Sequence, residues 1–342
     1  MIRPTTRSAI RSLETTHRDL LAQSVGDERE SSQVIAGEFL AVRPPKHIRA
    51  MTSENRTTTI QRLENRVITW AESQPNIRAI LVVGSRARRD FPADEWSDLD
   101  LMVFATDFES YLANSDWLDN IGEVWVNLPS LTGDDDPERL VLFDGGCKVD
   151  FVFLAVEGLQ RMVESGTLSG VYHRGYYILV DKDGLAAQLI LPSFSPPPYE
   201  KPSEHTFALA VGFFWYGAVY VARQIRRRNL WAVKFRDWTM KEILLKMLEW
   251  HARAAHRWDY DTWHDGHFLP QWTDPQTWND LQGTFGRFDA VDSWQALLRT
   301  MGLFRRLATE TASRLSYTYP AAVDECTTQL VDALHAEDDL NR

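Results

Sequence analysis

Two short stretches hold the residue types from which a reactive site could be built. Ala79-Ile80-Leu81-Val82-Val83 is an apolar run that stops at Gly84-Ser85, and after the twelve residues Arg86 to Ser97 comes Asp98-Leu99-Asp100, leading into Leu101-Met102-Val103-Phe104. Side chains alternate on a strand, so Asp98 and Asp100 project from the same side. Two carboxylates on one face repel each other unless a cation sits between them, and hard oxygen ligands suit Mg²⁺. Gly84 allows close backbone approach, and the amides around Gly84-Ser85 can cradle a phosphate where the strand turns into a helix. A Gly-Ser turn alone, or Asp-x-Asp alone, is common in solvated loops and at strand edges. The two in this order and spacing read as a site for a nucleoside triphosphate bound with magnesium.

A third acid is expected nearby. Leu140-Val141-Leu142-Phe143 and Lys148-Val149-Asp150-Phe151-Val152-Phe153-Leu154 are β-rich runs joined by Asp144-Gly145-Gly146, a hairpin turn signal. Asp150 lies among apolar residues, where a carboxylate is costly without a partner; simple pairing with Lys148 is the plainer alternative. We take Asp98, Asp100 and Asp150 as one catalytic and metal-binding triad. Gly84, Ser85 and Arg86 form the candidate nucleotide-binding set, with the Arg86 guanidinium reaching triphosphate oxygens in bidentate fashion. Arg88 and Arg89 fit a solvated basic loop equally well.

Around these residues the chain reads as two domains. With 342 residues, 44% of them hydrophobic, it can bury two ordinary cores. Residues 1–52, with arginines spaced by four and Pro44-Pro45, are expected to be a disordered or mis-annotated extension, with Met51 a possible initiator. Ile60, Leu63, Val67 and Ile68 recur at helical spacing before the Gly-Ser strand. Leu191-Pro192-Ser193-Phe194-Ser195-Pro196-Pro197-Pro198 is the clearest linker. Beyond it, segments near 204–228, 236–257, 275–285 and 291–316 carry apolar residues at helical spacing and the two-residue alternation stops. The expected fold is therefore α+β: a mixed sheet with flanking helices over 53–198, then a helical bundle over 199–342.

Composition restricts the partners. The formal net charge of −11 argues against a nucleic-acid binder, whose phosphate contacts need a basic surface, and suits a cationic small substrate. The longest apolar stretch, Phe207 to Ala222, is shorter than the roughly 20 residues of a membrane span and reads as a buried helix. Two cysteines, Cys147 and Cys326, form no disulfide framework and suit a reducing cytoplasm. His251, His256, His264 and His267 match no tight ligand spacing, and Trp258, Trp263, Trp272 and Trp278 read first as core, with the lining of a sugar-binding cleft as the alternative. Arg223 to Arg228 closes an apolar helix at its negative dipole end.

The Gly-Ser/Asp-x-Asp arrangement resembles the nucleotidyltransferase superfamily typified by DNA polymerase β. With both halves in view the chain is similar, over roughly residues 53–325, to the aminoglycoside 6-adenylyltransferase family, which modifies streptomycin. The residues that carry the likeness are Ile77-Arg78-Ala79, Gly84-Ser85-Arg86, Asp98-Leu99-Asp100, Leu142-Phe143-Asp144-Gly145-Gly146 with Val149-Asp150, and Val180-Asp181-Lys182-Asp183. In the helical half they are Phe214-Trp215, Lys241-Glu242, Trp294-Gln295-Ala296-Leu297, Leu303-Phe304-Arg305 and Tyr317-Thr318-Tyr319-Pro320. Val211-Gly212 stands where the family usually carries Asn-Glu.

The resemblance implies an enzyme that uses ATP and two Mg²⁺ ions to place AMP on a hydroxyl of a cationic, streptomycin-like acceptor, with release of pyrophosphate. Such a protein would confer antibiotic resistance and work in the cytoplasm, without nucleic acid or membrane and with a monomer favoured. Asp150 would then be either a ligand of the second ion or the general base. The competing readings are a regulatory nucleotidyltransferase-like module that binds a protein, and adenylylation of a different small acceptor.

Overall fold

The computed structural model of the chain describes residues 53–88, 90–168, 170–190 and 199–340. The expected N-terminal extension (1–52), the expected linker (191–198) and Arg89 lie outside the described residues. The chain divides into two compact units, one ending at Ser195 and the other beginning at Pro196.

In the first unit α1 (Ser53–Ser73) leads into β1 (Ile77–Val83), and β2 (Leu99–Ala105) follows after the Gly-Ser turn and a polar loop. A short helix α2 (Glu109–Ala113) precedes β3 (Val124–Leu131), β4 (Pro137–Phe143) and β5 (Cys147–Ala155), which are followed by α3 (Val156–Ser165) and β6 (Tyr177–Asp181). Among the described residues the six strands form one mixed sheet in the order β3-β4-β5-β2-β1-β6. Only β2 and β5 run parallel; each other neighbouring pair is antiparallel. The Asp144-Gly145-Gly146 signal does turn β4 into β5, with Gly145 and Gly146 at φ 82° and 75°, a conformation open to glycine.

Both faces of the sheet are covered, which is why its central strands read as nearly continuous apolar runs. On one face Ile80, Val82, Leu101, Val103 and Phe151 pack with Ile60, Leu63, Val67 and Trp70 of α1. On the other, Ala79, Leu81, Val83, Met102, Phe104 and Val152 pack with Leu159 of α3. Strand alternation continues that second face from Phe104 through Met102 to Asp100 on β2, and from Leu154 through Val152 to Asp150 on β5. One end of the face is thus core and the other is acidic.

The second unit is helical: α4 (Glu204–Arg226), α5 (Leu230–Ala255), the short α6 (Leu269–Trp272) and α7 (Pro275–Gln282), α8 (Ala290–Leu315) and α9 (Ala321–Leu340). Ser203, Asp274 and Asp289 cap α4, α7 and α8 by accepting from backbone amides of the first turn. Phe207, Phe214, Trp215, Met240, Met247, Trp294 and Phe304 form its core, with the Phe214 and Phe304 rings stacked at 3.6 Å. By length and composition α4 is the one helix among the described residues able to cross a membrane, but its apolar residues Phe207, Val211, Phe214, Val221 and Ile225 are buried in this unit's own core. The tryptophans follow the same logic. Trp263 and Trp272 are buried, and Trp258 and Trp278 pack against the core.

Candidate active site

The site begins where β1 ends. Gly84 has φ +68° and opens a single 3₁₀ turn, Gly84–Arg86, whose carbonyl at Gly84 accepts from the amides of Ala87 and Arg88. A Cβ added at Gly84 would overlap Oδ2 of Asp100. Glycine is therefore required here twice over, by its backbone conformation and by the carboxylate lying against its Cα. Ser85 follows at the half-exposed centre of the turn.

Arg86 folds back along the loop. Its Nε donates to the carbonyl of Asp98 (3.0 Å) and its Nη2 to that of Ser97 (2.7 Å). Those two bonds pin the chain just before β2 and set where Asp98 emerges. The guanidinium edge expected to grip a triphosphate is thus engaged with backbone, and Arg86 acts here as a brace. Sequence reading could not see this, because the partners lie eleven and twelve residues away across a loop.

The three acids come together through strand register. Asp100 on β2 is the direct partner of Asp150 on parallel β5, and Val83 on β1 is the partner of Asp100 on the other side. Asp98 lies one residue before β2. Lys148, two residues before Asp150 and so on the same strand face, donates from Nζ to Oδ2 of Asp98 (2.8 Å) and to Oδ2 of Asp150 (3.0 Å). Three carboxylates and one ammonium make up the cluster. The pairing of Asp150 with Lys148 and its place in the acidic set are both present.

Electrostatics follow from that crowding. Burial, then the charges of Asp150 and Asp98, push the Asp100 carboxyl up from 3.8 to about 6, with Lys148 and Arg86 pulling the other way. Burial also raises Asp150, partly offset by its hydrogen bond and attraction to Lys148. Burial disfavours the Lys148 ammonium, but its hydrogen bonds to Asp98 and Asp150 outweigh that and raise its pKa. Oδ1 of Asp150 is buried and has no hydrogen-bond partner. A buried carboxylate oxygen with no partner, beside two further carboxylates, has the donor chemistry of a divalent-cation ligand, although among the described residues no three such side chains stand arranged to hold a metal and the Lys148 ammonium bridges Asp98 and Asp150 instead.

Other conspicuous residues have structural partners. Lys182 of the Asp181-Lys182-Asp183 turn donates to the carbonyls of Ala71 (2.7 Å) and Gln74 (2.6 Å) at the end of α1. Asp181 accepts from the amides of Leu185 and Ala187, and Asp183 pairs with Arg78. Of the four histidines, His251 bonds Glu310 at 2.7 Å and His256 stacks on Tyr260. At the end of α4, Arg226 and Arg228 pair with Glu337 and Asp338 of α9.

A mixed sheet whose Gly-Ser turn backs an Asp-x-Asp strand, with a third aspartate on the adjacent parallel strand, is the arrangement of a nucleotidyltransferase, and this chain is one. The family model for streptomycin adenylyltransferase matches residues 57–333, and the chain belongs to that family. The chain is 24% identical over 265 residues to an aminoglycoside 6-adenylyltransferase of Campylobacter jejuni, covering 74% of this chain and 88% of the relative. It is 25% identical over 270 residues to one of Staphylococcus aureus, covering 77% and 94%. Among solved structures it is similar to an aminoglycoside 6-adenyltransferase from Bacillus subtilis, at 18% identity and a TM-score of 0.40 over 83% of this chain and 99% of that one.

Proposed function

We propose that this enzyme transfers AMP from ATP to a hydroxyl of an aminoglycoside, with streptomycin the first candidate, in a Mg²⁺-dependent reaction that releases pyrophosphate. One observation carries the chemistry: Asp98, Asp100 and Asp150 share one cluster, with Asp100 seated against Gly84. Asp98 and Asp100 would hold one divalent ion, and Asp150 would join them for a second. Bound there, the metal supplies charge neutralisation for the triphosphate and acidifies the attacking hydroxyl.

The chain's own residues account for the rest. Gly84 and Ser85 offer backbone to the phosphates, and Arg86 keeps the loop that carries Asp98 in place. The acceptor oxygen forms a bond to the α-phosphorus while the bond from that phosphorus to the β-phosphate's bridging oxygen breaks, and pyrophosphate leaves. Asp150, with its Oδ1 unpartnered, either completes the second ion's ligands or takes the hydroxyl proton itself as general base; the two roles are alternatives.

The helical unit is proposed to bind the acceptor. Gly212 is half-exposed on α4, with nothing within 4 Å of where a Cβ would sit, and itself offers no carboxylate where the family carries a glutamate. The acidic overall charge supports a cationic acceptor, and two cysteines in 342 residues support a reducing, cytoplasmic setting. Incubation with α-labelled ATP, Mg²⁺ and a panel of aminoglycosides tests the reading. Label on streptomycin is the expected result; label on another hydroxylated compound alone would move the acceptor, and no transfer to any would overturn it.

A further inference from the structure

The cation between Asp98 and Asp150 is part of the protein. We propose that Lys148 is a tethered counter-ion of the acid cluster: its ammonium keeps Asp98 and Asp150 gathered before the metal nucleotide arrives, and must release both when it binds. This inference rests on the metal reading of the three acids given above.

The geometry supports a displaceable contact. Nζ reaches one oxygen of each acid, at 2.8 and 3.0 Å, so the ammonium lies between two of the three residues that would hold a divalent ion. The side chain is 43% exposed, whereas that of Asp150 is 16% exposed. The lysine can therefore swing its flexible four-carbon stem into solvent while Asp150 stays fixed on its strand. The strand partners of Lys148 and Asp150 on β4 are Leu142 and Leu140, and the partner of Asp100 on β1 is Val83. None of these can replace the charge; Arg86 is engaged with the carbonyls of Ser97 and Asp98, and Arg88, whose charge also acts on Asp100, donates to the carbonyl of Phe91.

An exposed ion pair is ordinarily of little consequence to stability. Here the ammonium bridges two acids within a set of three, and each of the two contacts is short. Its removal should leave the carboxylates mutually repelling and open to an external cation. Lysine thus trades metal affinity for an ordered metal-free site.

The test compares full-length wild type, Lys148→Met, Lys148→Arg and Asp100→Asn. Mn²⁺ affinity is measured by titration calorimetry, and melting temperature is measured in EDTA and in Mn²⁺. Lys148→Met is expected to bind Mn²⁺ about tenfold more tightly, a change of about 1.4 kcal/mol. Its melting temperature should drop in EDTA and recover in Mn²⁺, while Lys148→Arg stays near wild type in both. Unchanged or weaker Mn²⁺ affinity in Lys148→Met overturns the counter-ion proposal alone, provided wild type binds Mn²⁺ and Asp100→Asn does not. Absence of Mn²⁺ binding in every form overturns the metal reading and this proposal with it.

Discussion

At Gly84 a positive φ and the nearby carboxylate of Asp100 coincide, so a single methyl group there must move something. The displaced group is Asp100, because strand β1 is fixed by pairing on both sides. Gly84→Ala is expected to destabilise the fold by roughly 1–3 kcal/mol and to lower nucleotidyl transfer by more than tenfold, read by denaturant unfolding and by turnover. Asp100 gives a prediction of opposite sign. Its carboxyl titrates near 6 in the fold and near 3.8 when unfolded, so the folded state holds the proton longer. Stability of the metal-free protein therefore falls as pH rises from about 4 to about 6, and stays low above that. Asp100→Asn should remove this part of the slope and stabilise the protein at pH 7.5 by about 1–2 kcal/mol in EDTA, while abolishing transfer. Melting curves across pH 4–8 for both forms check it; a variant less stable than wild type at pH 7.5 would contradict the electrostatic account.

At the scale of elements, strand alternation explains why so much of the site could be read from the chain. Asp98 and Asp100 are two residues apart, and so are Lys148 and Asp150; the period of a strand then fixes their faces without any tertiary information. The glycine pair of the β4–β5 hairpin was equally local. Contacts made by long side chains across loops were not. Arg86 reaches carbonyls that no local pattern connects to it, and Lys182 ties β6 to the end of α1 more than a hundred residues earlier. Helix α9 also escaped the apolar periodicity, since Val331 is its one buried apolar residue and its other buried residues include Asp324 and Asp338, held by Arg305 and Arg228. Lys182→Met is expected to destabilise the sheet unit by roughly 1–3 kcal/mol, through unsatisfied carbonyls at the α1 terminus, while leaving turnover at low temperature near wild type. A loss of activity without loss of stability would instead give the Asp-Lys-Asp turn a role in the reaction.

At the scale of the whole molecule, the two units divide differently between what family membership establishes and what chemistry must still supply. The sheet unit sets Asp100 in register with Asp150, and membership of the streptomycin adenylyltransferase family makes the chain a nucleotidyltransferase. The helical unit holds its core with stacked aromatics and buried ion pairs, yet carries the half-exposed Gly212 on α4, so the acceptor has to be established by assay. The net charge of −11 favours a cationic acceptor over nucleic acid but does not choose among cations. The central claim is that Asp98, Asp100 and Asp150 act as one catalytic unit. Its most direct test is transfer of label from α-labelled ATP to acceptor by Asp150→Asn in Mg²⁺, beside wild type. A fall of at least about a hundredfold with an undiminished melting temperature is the predicted result; turnover equal to wild type would contradict it.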